Sequence, residues 1–377
     1  MQPLAELAAD HPALWGRLEV RKPGPPLILE NAVVLPAWQH RDVEPWWLRH
    51  SLGVYNSQGQ HVLELSDMRG ERHCCFPPAR LEQARFNRPR ARRKPLVLYG
   101  GTLYDHFGHL LVDSTRAYQL LRLFRHTKLP IWFHDCTPHR GSVLRLAMVQ
   151  QWLACLGLSN RARLVGRPLL ARQLISAAPL YSDRQFVSQD LHPACRAALQ
   201  PKLARRLERL GPARRRLAYL SRHKLRGGST RFAGEAGLVE KLADLPHVDV
   251  ICPEELDFEA KIGLYRRYQV VAGFPQSSMH LKLFAPGEEL ARQVLFIAGP
   301  RSLSSSWLNL ERATGFGDLV VDCGVDCGVD CGVDCGKAAA GGSAEPLPPG
   351  PSAADEFQRT NHFNPQAVLQ AIVALAG

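Results

Sequence analysis

The sequence has no run of roughly 18 apolar residues, so it contains no transmembrane helix of ordinary length. Its first ten residues, Met1-Gln-Pro-Leu-Ala-Glu-Leu-Ala-Ala-Asp10, lack both a basic start and an apolar stretch, and no secretory signal peptide is expected. Acidic residues are scarce relative to basic ones: 35 Asp and Glu stand against 47 Lys and Arg, a net charge of +12. The pI is near 9.4. That excess favours anionic partners such as nucleic acid, anionic membrane or phosphorylated substrates. It is concentrated in Arg85-Phe-Asn-Arg-Pro-Arg-Ala-Arg-Arg-Lys94 and in Lys202-Leu-Ala-Arg-Arg-Leu-Glu-Arg-Leu-Gly-Pro-Ala-Arg-Arg-Arg216. Apart from Phe86 these clusters lack interleaved aromatics, and no nucleic-acid recognition motif accompanies them, so nucleic acid is disfavoured as a partner. A GC-rich coding sequence enriches arginine equally well, with no partner at all.

The ten cysteines do not form a disulfide framework. Cys323, Cys327, Cys331 and Cys335 belong to one perfect repeat, and Cys74, Cys75, Cys136, Cys155, Cys195 and Cys252 are scattered. Cys155 and Cys252 sit in apolar contexts and read as small buried hydrophobes. A reducing compartment, the cytoplasm, fits this usage. The repeat, Val321-Asp-Cys-Gly four times over to Gly336, could hold a soft metal only if its cysteines converged. Gly in every unit disfavours the helix that would align them, and repeat slippage is the simpler origin.

At 377 residues and 45% hydrophobic content, two domains and a sizeable core are expected. Residues 1–210 read as an N-terminal α/β domain with an irregular β-rich start. There Val54-Tyr55 and His61–Leu65 flank Asn56-Ser-Gln-Gly59 as a hairpin. From Pro95 the pattern alternates: strands at Leu96–Tyr99, Leu129–Phe133, Ala162–Val165 and Leu174–Ala177, helices at 105–126 and 143–157. A long basic helix then runs Leu191–Leu210. Residues 211–320 repeat the alternation, with strands at Arg216–Ser221, His247–Ile251, Gln269–Gly273 and Gln293–Ala298. Helices are expected at 234–244, Asp257–Tyr268 and Ser277–Phe284. Such alternation predicts parallel sheets of doubly wound type. Residues 321–354 are repeat and linker, and 355–377 carry a terminal amphipathic helix from Pro365 to Leu375.

The richest stretch is Leu98-Tyr-Gly-Gly-Thr-Leu-Tyr-Asp-His-Phe-Gly-His-Leu-Leu-Val-Asp-Ser-Thr-Arg116. On a continuous helix His106, His109, Asp113 and Arg116 share one face. His109 and Asp113, at i and i+4, can pair so that the carboxylate orients the ring, the layout of a general base and its orienter. His106 is the alternate base. A solvated ion pair or helix cap is the plainer alternative.

A second block runs Tyr219-Leu-Ser-Arg222, Arg231-Phe-Ala-Gly-Glu235, Cys252-Pro-Glu-Glu-Leu-Asp-Phe258 and Val271-Ala-Gly-Phe-Pro-Gln-Ser-Ser-Met-His280. Ser221-Arg222 and Gly273 end strands, where ligands gather in α/β sheets. Ser277 and Ser278 opening a helix make a phosphate site, and Arg222 and Arg231 can neutralise a diphosphate. Serine caps and arginines after strands are also common without function.

The two blocks together resemble glycosyltransferase family 61, over about residues 96 to 300. Family members carry a Gly-Gly…His-Phe-Gly-His stretch or a His-x-x-x-Glu followed by Arg, and His109, Asp113 and Arg116 match these with Asp for Glu. They then carry Tyr-x-Ser-Arg, Arg-x-x-Asn-Glu, Pro-Glu-x-Leu-x-Phe and a Gly-x-His-Gly-Ser segment ending at Phe. Tyr219–Arg222, Arg231–Glu235, Pro253–Phe258 and Gly273–Phe284 look like these. Gly234 stands where the family has Asn, and Pro275-Gln276 where it has His-Gly.

The resemblance implies a GT-B-like fold, two Rossmann-type domains facing a cleft, and an inverting glycosyltransferase. Its partners are a nucleotide-sugar donor and a hydroxyl of a surface or capsular glycan, lipid-linked acceptors included. His109 is then the base and Asp113 its orienter. Ser221, Arg222, Arg231, Glu235, Gly273, Ser277 and Ser278 hold the donor, with Glu235 on its ribose or base. The blocks hold no Asp-x-Asp motif, so no metal and no cofactor are expected beyond the co-substrate. The arginine clusters suit peripheral attachment at the inner face of the cell membrane. The alternative is a catalytically degenerate homologue that binds glycans or forms complexes, motivated by Pro275-Gln276.

Overall fold

Two six-stranded sheets organise a mixed α/β chain. The computed structural model describes residues 1–39, 50–69, 72–73, 91–136, 141–225, 230–298, 302–324 and 359–376. Cys74, Cys75, most of the first arginine cluster, the repeat beyond Gly324 and the linker to 354 lie outside these residues.

In the first sheet, β1 (Leu27–Gln39) and β2 (His50–Tyr55) pair antiparallel. Parallel to one another run β3 (Arg92–Leu103), β4 (Ile131–Asp135), β5 (Ala162–Leu164) and β6 (Leu169–Ser176). The spatial order is β5-β4-β3-β6-β1-β2. Strand β3 is apolar on both faces, with Val97, Leu98 and Tyr99 buried, as a strand covered from two sides must be. The chain start, expected as short strands, instead contains the 13-residue β1. The expected hairpin holds at its turn, where the Asn56 N–H donates to the Gln60 carbonyl at 2.9 Å, but its second arm carries only a bridge from His61 to Tyr55 before Leu63–Leu65 turns into a 3-10 helix.

In the second sheet β7 (Leu217–Leu220), β8 (Val248–Ile251), β9 (Val270–Gly273), β10 (Arg292–Ile297) and β11 (Leu319–Asp322) are all parallel, ordered β8-β7-β9-β10-β11. Gln2–Pro3 adds an antiparallel edge to β11, so the chain start belongs to this sheet. Strand order reverses between β3 and β6 in the first sheet and between β7 and β9 in the second. Ligands collect at the carboxyl ends beside such points.

The helices are α1 (Phe107–Val112), α2 (Thr115–Leu123), α3 (Ala147–Cys155), α4 (Leu191–Ala198), α5 (Pro201–Glu208), α6 (Glu235–Ala243), α7 (Phe258–Arg267), α8 (Ser305–Thr314) and α9 (Pro365–Ala376). Four expected helices differ. The one at 143–157 is a 3-10 turn at Val143–Arg145 followed, after an extended Leu146, by α3. The one at 105–126 breaks at Asp113-Ser114, where the Tyr118 hydroxyl donates to the Leu111 carbonyl at 2.6 Å and Ser114 Oγ to the Thr102 carbonyl at 3.3 Å. The basic helix breaks before Pro201, which has no N–H and forces Gln200 extended. Ser277–Phe284 is a 3-10 helix. The repeat is not all linker either: Val321 and Asp322 belong to β11, and Cys323 is buried. Cys155, expected buried, is only half-buried at the end of α3.

The largest apolar cluster runs from one sheet to the other. Tyr118 of α2 meets Phe284 edge-on at 5.3 Å, and Phe107 of α1 meets Phe258 of α7 at 6.2 Å. A second cluster lies under α6 and α9, whose Val368, Ala371, Ile372 and Ala376 are buried there with Phe363.

Candidate functional site

Strand β3 ends at Leu103, and α1 starts four residues later, so the site begins at the carboxyl end of the first sheet. His106 is the exposed residue before α1, and its carbonyl accepts the Leu110 N–H at 2.9 Å. His109 lies one turn on. Asp113 closes the helix and places Oδ2 2.6 Å from His109 Nδ1. Both side chains keep some exposure, 24% and 14%. With Nδ1–H donated to the carboxylate, Nε2 is left as an acceptor. Burial pushes the Asp113 carboxyl above its ordinary range; His109 pulls it back, and the nearby Asp183 and Asp67 carboxylates push it up further. The rings of His106 and Tyr104 lie 4.9 and 5.6 Å from that of His109, and the Tyr104 hydroxyl donates to Asp67 at 3.0 Å.

Arg116 does not join this group. The break in the helix turns it inward, where it is 2% exposed. Nη1 donates to the Ala177 carbonyl at 2.7 Å and Nη2 to the Glu64 carbonyl at 2.8 Å. Its stem covers Gly101, which is left-handed at φ 87°. The guanidinium therefore ties the carboxyl end of β6 to the segment after β2.

In the second sheet Ser221 follows β7, fully buried, its amide bonded to the Ile251 carbonyl at 2.8 Å. Its hydroxyl lies 2.7 Å from His223 Nδ1. Glu235 opens α6 and is 3% exposed. One oxygen, Oε1, accepts from the Tyr219 hydroxyl at 3.1 Å, the Ser221 hydroxyl at 3.3 Å and the Arg222 amide at 3.1 Å. Burial raises the Glu235 carboxyl, against those three bonds and the Arg222 charge. Glu235 thus shapes the loop after β7, whereas the sequence had it reaching a ligand directly. Gly234 before it has φ 86°, a conformation that costs glycine nothing and asparagine little.

Gly273 ends β9, and a Cβ there would stand 2.9 Å from the Leu220 carbonyl oxygen. The buried Gln276 fills the space just beyond: Nε2 donates to that carbonyl at 2.8 Å, and Oε1 accepts from Ser278 Oγ at 2.9 Å. This corrects the expected phosphate site. The segment is a 3-10 helix without a side-chain cap, the Ser278 hydroxyl is already bonded, and Gln276 occupies the crevice. Arg222 is half-buried, and burial lowers its pKa against the pull of Glu235 and Glu254. Arg231 is exposed on the short strand Thr230–Phe232. Phe232 stacks on Phe274 at 3.8 Å and so fastens that strand beside the end of β9.

The two blocks meet where Gly108 of α1 packs on Ser277. A Cβ on Gly108 would stand 2.7 Å from Ser277 Oγ. Around this contact lie residues that the sequence gave no role: His280, stacked on Trp307 of α8 at 4.3 Å, and Asp183. The Tyr181 hydroxyl donates to Asp183 at 3.2 Å, and Arg184 Nε lies 3.6 Å from it. Arg184 holds φ 63°, one of two described non-glycine residues with positive φ. His280 could have been flagged as the one imidazole inside the second motif block. Asp183 carried no local signal.

Among the described residues no group of three or more His, Cys, Asp or Glu could hold a metal ion, and no helix is long and apolar enough to cross a membrane. Fold and site together define a mixed α/β protein with parallel-rich sheets and a paired His–Asp after the carboxyl end of β3. No protein-family model matches the chain, and no curated protein matches it.

Proposed function

We propose that the protein is a metal-independent inverting glycosyltransferase of GT-B-like, doubly wound architecture, as the resemblance to family 61 implies. The observation that carries this reading is the His109–Asp113 pair, 2.6 Å apart, set against Ser277 of the second block. His109 Nε2 takes the proton of an acceptor hydroxyl as that oxygen attacks the anomeric carbon from the side opposite the leaving diphosphate. One bond forms to the acceptor oxygen, the glycosidic bond to phosphate breaks, and configuration inverts. Asp113 stabilises the imidazolium. Arg222 and the exposed Arg231 face the charge that develops on the diphosphate. Gly234 supports the reading, because the family's Asn suits the same left-handed backbone. His106, exposed and with its ring 4.9 Å from that of His109, is the second candidate for base. The acceptor is a surface or capsular glycan on a lipid carrier. Lys202, Arg205 and Arg209, exposed around α5, suit an anionic membrane at the cytoplasmic face, where Leu203 and Leu207 bury the helix's other side.

One observation favours the degenerate, glycan-binding reading: Gln276 occupies the crevice between β7 and β9. Thermal-shift binding against UDP-, GDP-, CMP- and TDP-sugars, each with EDTA and with manganese, separates the two. A metal-independent shift with one nucleotide supports the transferase and names the donor class; no shift with any of them leaves the binding module. His109→Ala is expected to abolish transfer while sparing donor affinity. Asp113→Asn is expected to lower kcat by about 10²–10⁴, the usual worth of an oriented base. Unchanged turnover in either variant removes the pair from the mechanism.

A further inference from the structure

His280 is the titratable group beside the site that this mechanism leaves without a role. It lies in the 3-10 helix that brings Ser277 against α1, and its ring stacks on Trp307, 13° from parallel. Among the described residues, Nδ1 is sealed from solvent with no hydrogen-bond partner. The residue is only partly buried, so the ring edge carrying Nε2 is the accessible one. A sealed ring nitrogen is tolerated better as a lone pair than as an orphaned N–H. The proton therefore sits on Nε2, and the accessible edge donates. His109 has the opposite polarity, with Nδ1 on Asp113 and Nε2 accepting. Burial, opposed by the Asp183 carboxylate and assisted by His109, lowers the His280 pKa to about 4, so the ring is neutral near pH 7.

We propose that His280 is a substrate-contacting residue whose Nε2–H donates to an uncharged oxygen of a sugar, a hydroxyl or the ring oxygen, held across from His109. The uncharged ligand follows from the surroundings. Asp183 acts electrostatically on both His280 and Asp113, and Asp67 on Asp113 as well. An anion would meet these carboxylates and a neutral imidazole, whereas hydroxyls can donate to the former and accept from the latter. The assignment rests on the transferase reading for the presence of a sugar, and it puts the charged part of the donor on the Arg222 and Arg231 side.

The test is saturation-transfer NMR on the full chain with the methyl glycosides of glucose, galactose, mannose and xylose. Glucose 6-phosphate and methyl glucuronide serve as charged probes. At least one neutral glycoside is expected to bind, and to bind better than either charged probe. His280→Leu, which keeps an apolar group on Trp307, is expected to weaken that binding about tenfold; His280→Gln, whose amide reaches the Nε2 position, should stay within about threefold of wild type. Melting temperatures and UDP affinity should not change in either variant. The proposal is overturned if no glycoside binds, if a charged probe binds best, if the leucine variant binds like wild type, or if both variants lose equally. Binding of UDP, GDP, CMP and TDP by the wild-type chain is measured in parallel. Its absence refutes the transferase reading by itself, and the sugar arm then judges His280 separately.

Discussion

The contact between Gly108 and Ser277 joins the two halves of the site, and it can be tested without any substrate. Gly108→Ala places a Cβ 2.7 Å from Ser277 Oγ and 3.2 Å from Ser277 Cβ. Rotating the serine moves Oγ away, but Cβ stays, so part of the clash persists. Gly108 has no positive φ, and alanine in a helix there gains about 1 kcal/mol over glycine. Overpacking of this kind costs about 1–3 kcal/mol. The single variant is therefore expected to lose about 0–2 kcal/mol, a small net change that hides two larger opposing terms. Ser277→Gly removes both obstructing atoms and costs about 0.5–1 kcal/mol through greater chain freedom. Made together, the changes drop the steric term, and the pair should cost less than the sum of the singles by about 1–3 kcal/mol. Urea unfolding of the four proteins measures this coupling. Additivity within about 0.5 kcal/mol would mean that α1 and the 3-10 helix do not touch as described, and the argument joining His109 to the second block would fail with it.

Three further outcomes are expected. The buried pair of Lys282 and Asp318 makes Lys282→Met destabilising by about 3–5 kcal/mol at neutral pH, since a carboxylate is left without its counter-charge; recovery at acid pH, where Asp318 protonates, would be seen in the same urea titrations, and a neutral effect at pH 7 refutes the pairing. His134 is fully buried, bonded to the Tyr99 hydroxyl and the Leu35 carbonyl at 2.6 Å each, and burial lowers its pKa from 6.5 to about 4. A depressed folded-state pKa gives stability that is present above pH 6.5 and lost as pH falls toward 4, so His134 should remove about 2 kcal/mol between pH 7 and pH 5, and His134→Gln should lack that slope. Equal slopes in the two proteins refute it. Deleting 321–336 should lower the melting temperature, because Val321 and Asp322 pair with β10 and the Cys323 amide bonds to the Ile297 carbonyl at 2.8 Å.

The legible parts of this fold are those whose causes lie close together in the chain. Strands β3, β7, β9 and β10 announce themselves as short apolar runs, and α7 begins at Asp257, whose carboxylate caps the Ala260 N–H at 2.7 Å. Sheet order was not legible, because it is fixed by which strands bury faces together across tens of residues. The chain start shows this best: Gln2–Pro3 falls in the stretch expected to belong to the 1–210 domain, yet it pairs with Leu319–Val320 of the second sheet. Helices failed for causes both near and far: Pro201 lies inside the expected basic helix, whereas the break at Asp113-Ser114 depends on residues further along the chain. Nothing in 105–116 foretells that Tyr118 will take the Leu111 carbonyl and so turn Arg116 into the core.

The same division runs through the candidate site. His109 and Asp113 pair across one helical turn, so their spacing was enough to find them. Glu235, Gln276 and Arg116 are the same kinds of residue that ligands recruit, but each meets a backbone group more than ten residues distant: Glu235 the Arg222 amide, Gln276 the Leu220 carbonyl, Arg116 the Ala177 carbonyl. A polar side chain near a strand end has two uses, to meet a ligand or to close the frame around it, and sequence spacing does not distinguish them. Burial and partner do. On the transferase reading proposed above, His109, His106 and His280 are assigned to the sugar and Arg222 and Arg231 to the diphosphate. The first group sits among carboxylates; the second is cationic. On that reading a ligand spanning both groups is polar and uncharged at one end and anionic at the other, as a nucleotide-activated sugar is.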